Sequence, residues 1–229
     1  GVGDYTLFQR EKTYVVEIYD NNKFKVPAVV VNRGFKIETD DIVPYNSSCF
    51  LIERIVTEVD EDGVPAYKMY GMENGEEVSM FINEDVYEKD KDASNGGVPL
   101  SSLKPGTVVQ LLYNIHGEPT SYRLLNVYEE SPMKETVING SGYNVGLLIS
   151  YGYANDVRKD VMTITTDAGK TIKSYSIAGA NFYLYDTLTK TARLATYEDI
   201  KPFSAYGEDA SKVFLRVNSQ DVEDVIIYK

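Results

Sequence analysis

Three segments of the chain repeat one pattern, and that repetition limits the available folds more than any other property of the sequence. Thr13 to Val31 reads TYVVEIYDNNKFKVPAVVV, Thr107 to Leu125 reads TVVQLLYNIHGEPTSYRLL, and Ser211 to Tyr228 reads SKVFLRVNSQDVEDVIIY. Each is an apolar-rich run, an Asn- or Asp-containing turn at Asp20, Asn114 or Asn218, and a second apolar run. This is the grammar of a β-hairpin, and recurrence at a fixed period marks a repeat architecture.

The repeat extends upstream of the hairpin. Leu103-Lys104-Pro105 answers Ile200-Lys201-Pro202, each a few residues before its hairpin. Further back, 50–82 and 147–177 both give a β run, a polar break, a β run, a tight turn at Asn74-Gly75 or Ala168-Gly169, and another β run. The unit is therefore about ninety residues long, an ordinary size for a small domain. The chain divides into the C-terminal part of a preceding, truncated unit (1–43), a complete unit (44–135) and a second complete unit (136–229). Glu129 to Gly142, with Ser131-Pro132, Asn139-Gly140 and Ser141-Gly142, has linker chemistry and marks the main boundary. A softer boundary lies near Asp40 to Pro44. Gly1 followed by the middle of a β segment suggests a start inside a longer protein, and a strand running to Lys229 suggests a natural C-terminus.

The residue types favour strands. Val15, Val16, Ile18, Val108, Val109, Val225, Ile226 and Ile227 are β-branched, and 19 of 229 residues are tyrosine; both kinds suit a pleated, half-buried surface. No stretch keeps apolar residues at i, i+3, i+4 and i+7 for more than about a turn, so only short helices are expected, around Pro99 to Leu103 and Tyr197 to Ile200. Five or six short strands in ninety residues leave exposed edges unless the sheet closes. The expected fold is all-β, a tandem of small OB-like or SH3-like β-barrels, with aliphatic hairpin residues facing inward and the Lys-Pro segment capping one end.

This order of strands, Leu/Ile-Lys-Pro step and Asn turn resembles the repeated β modules found downstream of, or between, S-layer homology domains in surface proteins of Gram-positive, Clostridia-like bacteria. The resemblance is strongest over 197–229, especially Asp209 to Arg216 and Asp224 to Lys229. It implies an extracellular or cell-wall-associated location, a structural or adhesive role, no cofactor and no catalytic residues to transfer. The S-layer homology domain itself is not in this chain.

Charge and composition narrow the chemistry. The net charge is −12: six basic residues stand against seven acidic ones over 1–43, seven against seventeen over 44–135, and ten against eleven over 140–229. An acidic middle unit repels phosphate backbones and attracts cations or basic partners, so nucleic acid is not expected as a partner; the adhesive role implied by the resemblance makes proteins and wall or host glycans the expected partners. No apolar run reaches the roughly 20 residues of a membrane helix. The one cysteine, Cys49, permits no intrachain disulfide and sits in an apolar run as a core residue. The one histidine, His116, lies in a turn. With one Cys and one His, nucleophilic triads and His-based metal sites lack raw material, and a non-catalytic protein is expected.

Candidate sites are few. Asp60-Glu61-Asp62-Gly63 and Asp90 to Gly96 offer oxygen ligands for Ca²⁺, a weak site in either case. The second departs from an EF-hand loop, with Asn95 at the sixth position and Ser101 at the twelfth; polar hairpin loops account for both. Glu76-Glu77 and Glu84-Asp85 are adjacent carboxylates, which point to opposite faces of a strand and cannot form a glycosidase pair. Asn95-Gly96-Gly97 and Ser141-Gly142 lack the phosphate-cradling motifs. Tyr151 with Tyr153, and Tyr183 with Tyr185, alternate along strands so that each pair shares a face. They are the candidate ligand-binding residues, an aromatic platform for a glycan or peptide; packing between repeats accounts for them equally well.

Overall fold

A computed structural model of the chain describes residues 14–19, 25–30, 42–43, 49–60, 62–82, 99–114, 119–138, 147–166, 171–203, 210–218 and 221–229. The fold is all-β, without an α-helix among the described residues. It separates into two compact units, Gly1–Asp41 and Ile42–Lys229, and the division falls close to the softer boundary expected near Asp40 to Pro44. In the first unit, β1 (Tyr14–Tyr19) and β2 (Lys25–Val30) form an antiparallel hairpin with Tyr14 opposite Val30.

The second unit holds two sheets. The first contains β3 (Ile42–Val43), β4 (Cys49–Val59), β5 (Pro65–Glu73), β6 (Glu76–Phe81), β7 (Val108–Asn114) and β8 (Pro119–Asn126). Its order is β3-β7-β4-β5-β6, with β8 also on β7. The second contains β9 (Glu135–Ile138), β10 (Leu147–Arg158), β11 (Val161–Thr166), β12 (Thr171–Ser176), β13 (Asn181–Asp186), β14 (Thr191–Leu194), β15 (Lys212–Asn218) and β16 (Asp221–Tyr228). Its order is β12-β11-β10-β15-β16-β13-β14, with β9 on β10. A parallel bridge between Ser176 and Asp221 also joins β12 to β16. The change of sheet falls between β8 and β9, at the start of the stretch read as a linker, within which residues 135–138 form β9.

Local chemistry sets the turns and bends. Asn74 and Gly75 both have positive φ, 50° and 79°, the left-handed pair that a two-residue β5–β6 hairpin requires and that Asn-Gly supplies at least cost. Each long strand bends at a bulge. Pairing of β4 with β5 passes from Ile52–Gly71 to Arg54–Tyr70, and pairing of β10 with β11 passes from Ala154–Ile164 to Asp156–Thr163. The extra residues, Glu53 and Asn155, let each strand serve a second neighbour at a new angle. Backbone bonds lock the bends: Ile52 N donates to Thr107 O at 2.9 Å and Ile52 O accepts from Gly106 N at 2.8 Å, while Ala154 N donates to Ser211 O at 2.9 Å and Ala154 O accepts from Phe203 N at 2.8 Å.

Short 3-10 turns occur at Leu100–Ser102 and Tyr197–Asp199, where the sequence predicts them. Leu100 and Ile200 are buried, whereas Lys104, Pro105, Lys201 and Pro202 are exposed. The apolar residues before each Lys-Pro step therefore fill the core, and the steps themselves face solvent.

Strand alternation places residues on two faces at once. In β4, Phe50 and Ile52 join the first sheet's own cluster with Met69, Val109, Leu111 and Leu100, while Cys49 and Leu51 face the other way. In β15 and β16, Val213, Leu215, Val217, Val225 and Ile227 fill the second sheet's own cluster, while Phe214, Ile226 and Tyr228 face the first sheet. The central strands are thus buried on both sides, and residues 42–229 form one unit because the two sheets share a core. Each fully buried Leu, Ile or Phe stabilises by about 1.5–3 kcal/mol relative to exposure.

Candidate functional site

The densest assembly of polar chemistry lies in that shared core. Its apolar part has Cys49, Leu51, Met72, Val108 and Leu125 from the first sheet, against Leu147, Ile149, Tyr151, Tyr183, Tyr185, Phe214, Ile226 and Tyr228 from the second. Tyr228 is the hub of the tyrosines. Its ring stacks on Tyr128 at 4.7 Å and meets Tyr151 and Tyr185 edge-on at 6.0 and 6.2 Å, arrangements that aromatic quadrupoles favour.

Two of the phenol hydroxyls, those of Tyr228 and Tyr183, reach across to the first sheet. Tyr228 accepts from Asn126 Nδ2 at 3.0 Å and donates to the Gly106 carbonyl at 3.0 Å. The Tyr183 hydroxyl accepts from Gly75 N at 2.7 Å and lies 3.4 Å from Asp224 Oδ1. Gly106, with φ at +84°, lies so near that a Cβ would come within 2.6 Å of the Tyr185 ring. Burial pushes the Tyr151 and Tyr185 hydroxyls up to about 12 and holds those of Tyr183 and Tyr228 higher still, so all four are neutral donors or acceptors at ordinary pH.

A buried ion pair stands at the Asp224 side of this interface. Asp224 and Arg216 face each other across the β15–β16 hairpin, and both are buried. Arg216 Nε donates to Asp224 Oδ2 at 2.7 Å, and Asn181 Nδ2 donates to Asp224 Oδ1 at 3.1 Å. Arg216 also pairs with Glu223, whose carboxylate in turn accepts from Asn218 at 2.9 Å. Burial opposes the charge on Arg216, but Asp224, Glu223 and its other neighbours together outweigh burial, so its pKa stays raised. On the first sheet, the Glu73 carboxylate is buried and accepts from the Tyr113 hydroxyl at 3.1 Å. Cys49 lies within electrostatic reach of this group. Burial drives its thiol well above the ordinary range, and the charge of Asp224 adds to the effect. It is a neutral, inert thiol in the core.

Of the four candidate tyrosines, three are core residues: Tyr151, Tyr183 and Tyr185 are 3%, 0% and 1% exposed. Strand parity does put Tyr151 and Tyr153 on one face, but that face is turned to the other sheet. Tyr153 alone emerges, at 38% exposure. The structure therefore assigns the three buried rings to packing and does not present them as a platform.

The Asp60 carboxylate is engaged locally. Asp60 Oδ1 accepts from the backbone of Asp62 at 3.0 Å and of Val64 at 2.8 Å, which closes the β4–β5 turn. Among the described residues, no group of three or more His, Cys, Asp or Glu is placed to hold a metal ion. Glu76 and Glu77 are both exposed on β6. The Asp90–Gly96 loop, His116, Glu84-Asp85, Asn95-Gly96-Gly97 and Ser141-Gly142 lie outside the described residues, as does the turn at Ala168-Gly169.

The Arg216–Asp224 pair has a sequence signal: an arginine interrupts the apolar run 213–217 and an aspartate stands directly before Val225-Ile226-Ile227, at positions that a hairpin brings opposite each other. Among the described residues, no helix is long and apolar enough to cross a membrane. No protein-family model, curated protein or solved structure matches this chain.

Proposed function

We propose that the chain is a non-catalytic structural or adhesive module of a bacterial cell-surface or secreted protein, similar to the β modules that accompany S-layer homology domains. In this reading, residues 44–135 and 136–229 are tandem copies of one small OB-like or SH3-like β-barrel, preceded by the end of another copy.

Several observations support the repeat. The orders β6-β5-β4-β7-β8 and β12-β11-β10-β15-β16 run the same course. Glu53 and Asn155 bulge at corresponding points. The backbone clasps on Ile52 and Ala154 are made by residues at the same distance from the Lys-Pro step, Gly106 and Phe203, and from the following hairpin, Thr107 and Ser211. The bridge between Ser176 and Asp221 supports closure, because it joins the ends of the β12-β11-β10-β15-β16 series.

The shared core carries the structural reading. Tyr183, Tyr228, Arg216 and Asp224 are engaged with one another and with the main chain of the first sheet, which in this reading makes two small barrels one stiff body. Stiffness without a hinge is what a spacer between wall and surroundings needs. Immunolabelling of intact source cells with an antibody against this chain tests the location: label on the outside is expected, and label confined to the cytosol overturns the reading. Superposition of 49–126 on 147–228 in an experimental structure tests the repeat.

A further inference from the structure

The β5–β6 turn, which seats the first sheet against the second, carries a latent chemical reaction. Docking dictates its residues. Gly75 has φ at +79°, and a Cβ on it would come within 2.9 Å of Asn181 Oδ1 on β13, so glycine suits both the turn and the opposing sheet. Asn74 has φ at +50°, a left-handed conformation that asparagine adopts more readily than most residues. The outcome is Asn-Gly, a step at which peptides cyclise readily because glycine puts no side chain in the path of attack.

The reaction needs only water. The Gly75 main-chain nitrogen gives up its proton and attacks Asn74 Cγ. The new N–Cγ bond closes a five-membered succinimide, and the Cγ–Nδ2 bond breaks to release ammonia. Water then adds to one of the two imide carbonyls. Opening at Cγ leaves aspartate in place of asparagine; opening at the main-chain carbonyl leaves isoaspartate, whose backbone runs through the side chain and is one methylene longer. Nothing is oxidised or reduced.

Asn74 is exposed, so water reaches it, but the nucleophile is tethered. In a two-residue hairpin the central residues stand outside the ladder, whose last pair here is Glu73–Glu76, and an amide so placed ordinarily faces solvent. The Gly75 N–H instead donates to the Tyr183 hydroxyl at 2.7 Å. That side chain is 0% exposed, and its hydroxyl lies 3.4 Å from Asp224 Oδ1, an acceptor for its own proton. Asp224 is fixed in turn by Arg216 Nε at 2.7 Å. The nitrogen that must swing toward Asn74 Cγ is thereby held by the second sheet.

We propose that Asn74-Gly75 is a spontaneous deamidation site kept shut by the shared core, so that it reacts only in molecules whose two sheets have parted. A slow reaction behind a fast opening proceeds at a rate set by the open population. The step is also one-way. Isoaspartate lengthens the turn beyond the left-handed pair that presents Gly75 to Tyr183, and the new carboxylate joins Glu73, Glu76 and Glu77. None of this depends on where the protein acts.

The test incubates the full chain at mildly alkaline pH, well below its thermal midpoint, and follows conversion at position 74 by peptide mapping and mass spectrometry. A synthetic peptide of residues 70–79 gives the unprotected rate, and circular dichroism checks that each variant is folded. Wild type should convert about a hundredfold more slowly than the peptide. Conversion should be about tenfold faster than wild type in Tyr183→Phe, which removes the tether, and about fivefold faster in Tyr228→Phe, which loosens the same core away from the turn. Lys68→Gln, at an ion pair on the solvated part of the first sheet, should change the rate less than about twofold. Wild type reacting as fast as the peptide overturns the proposal, as does a wild-type rate in either tyrosine variant, since turn geometry alone would then protect Asn74. If Tyr183→Phe does not fold, hydrogen exchange at the wild-type Gly75 amide decides in its place: strong protection supports the tether, and exchange at the peptide's rate overturns it. Isoaspartyl protein separated by anion exchange should unfold at lower urea than its parent; an equal midpoint overturns the one-way step.

Discussion

The two sheets contribute to their common core in opposite ways. The first offers aliphatic and sulfur-containing side chains, with main-chain groups at Gly75 and Gly106 left open for contact. The second offers four tyrosines, a phenylalanine and the Arg216–Asp224 pair. One surface is a socket of aliphatic side chains and backbone, and the other a set of long arms that fill it. Glycine is required in the socket at Gly106, since any Cβ there would strike Tyr185. The difference teaches that the contact is heterologous: neither surface could pack against a copy of itself in this way.

The comparison breaks most completely at high pH. Tyr151, Tyr183, Tyr185 and Tyr228 all have hydroxyl pKa values raised by burial. A pKa raised in the folded state gives stability that is complete below the unfolded value near 10 and is lost as pH climbs toward the folded one. Each buried phenol should remove roughly 1.4 kcal/mol per pH unit above about 10. Phenolate absorbance and circular dichroism should therefore change together in one cooperative alkaline transition. A gradual titration of all 19 tyrosines without unfolding would contradict this.

Next in size is Asp224→Ala, which removes the fully buried carboxylate that faces Arg216 and Asn181 and should cost about 3–5 kcal/mol in urea denaturation. A loss under about 1 kcal/mol would show that the pair is dispensable. Tyr228→Phe keeps the ring but orphans Asn126 and the Gly106 carbonyl; about 1–3 kcal/mol is expected by the same assay. The smallest effect sharpens the contrast from the other side. Lys68 Nζ pairs with Glu58 at 3.2 Å on the solvated part of the first sheet, so Lys68→Gln should shift the denaturation midpoint very little.

The sequence pattern was a good guide to local structure. Asn74-Gly75 announced the β5–β6 turn, and the two apolar-rich runs on either side of Asn218 announced β15 and β16, because such signals depend on neighbours in the chain. The two short turns before Lys-Pro were legible for the same reason. Which face of a strand meets which partner is not a local property. Tyr151 and Tyr153 share a side of β10, yet one is sealed between sheets and the other reaches the rim, a distinction made by residues such as Leu51 and Met72 distant in sequence. The Arg216–Asp224 pair belongs to an intermediate class: its register is local, while its burial depends on the opposing sheet.

Strand β16 is gripped on both flanks, antiparallel to β15 and parallel to β13, where pairing runs from Asn181–Asp224 to Tyr185–Tyr228. A pull along β16 loads these bonds crosswise and simultaneously, so they resist as a group and cannot be unzipped one by one. Stretched from Lys229 in a single-molecule experiment, the strand should release in one abrupt event. A module of this kind would bear tension as a bolt does, holding its length until it shears.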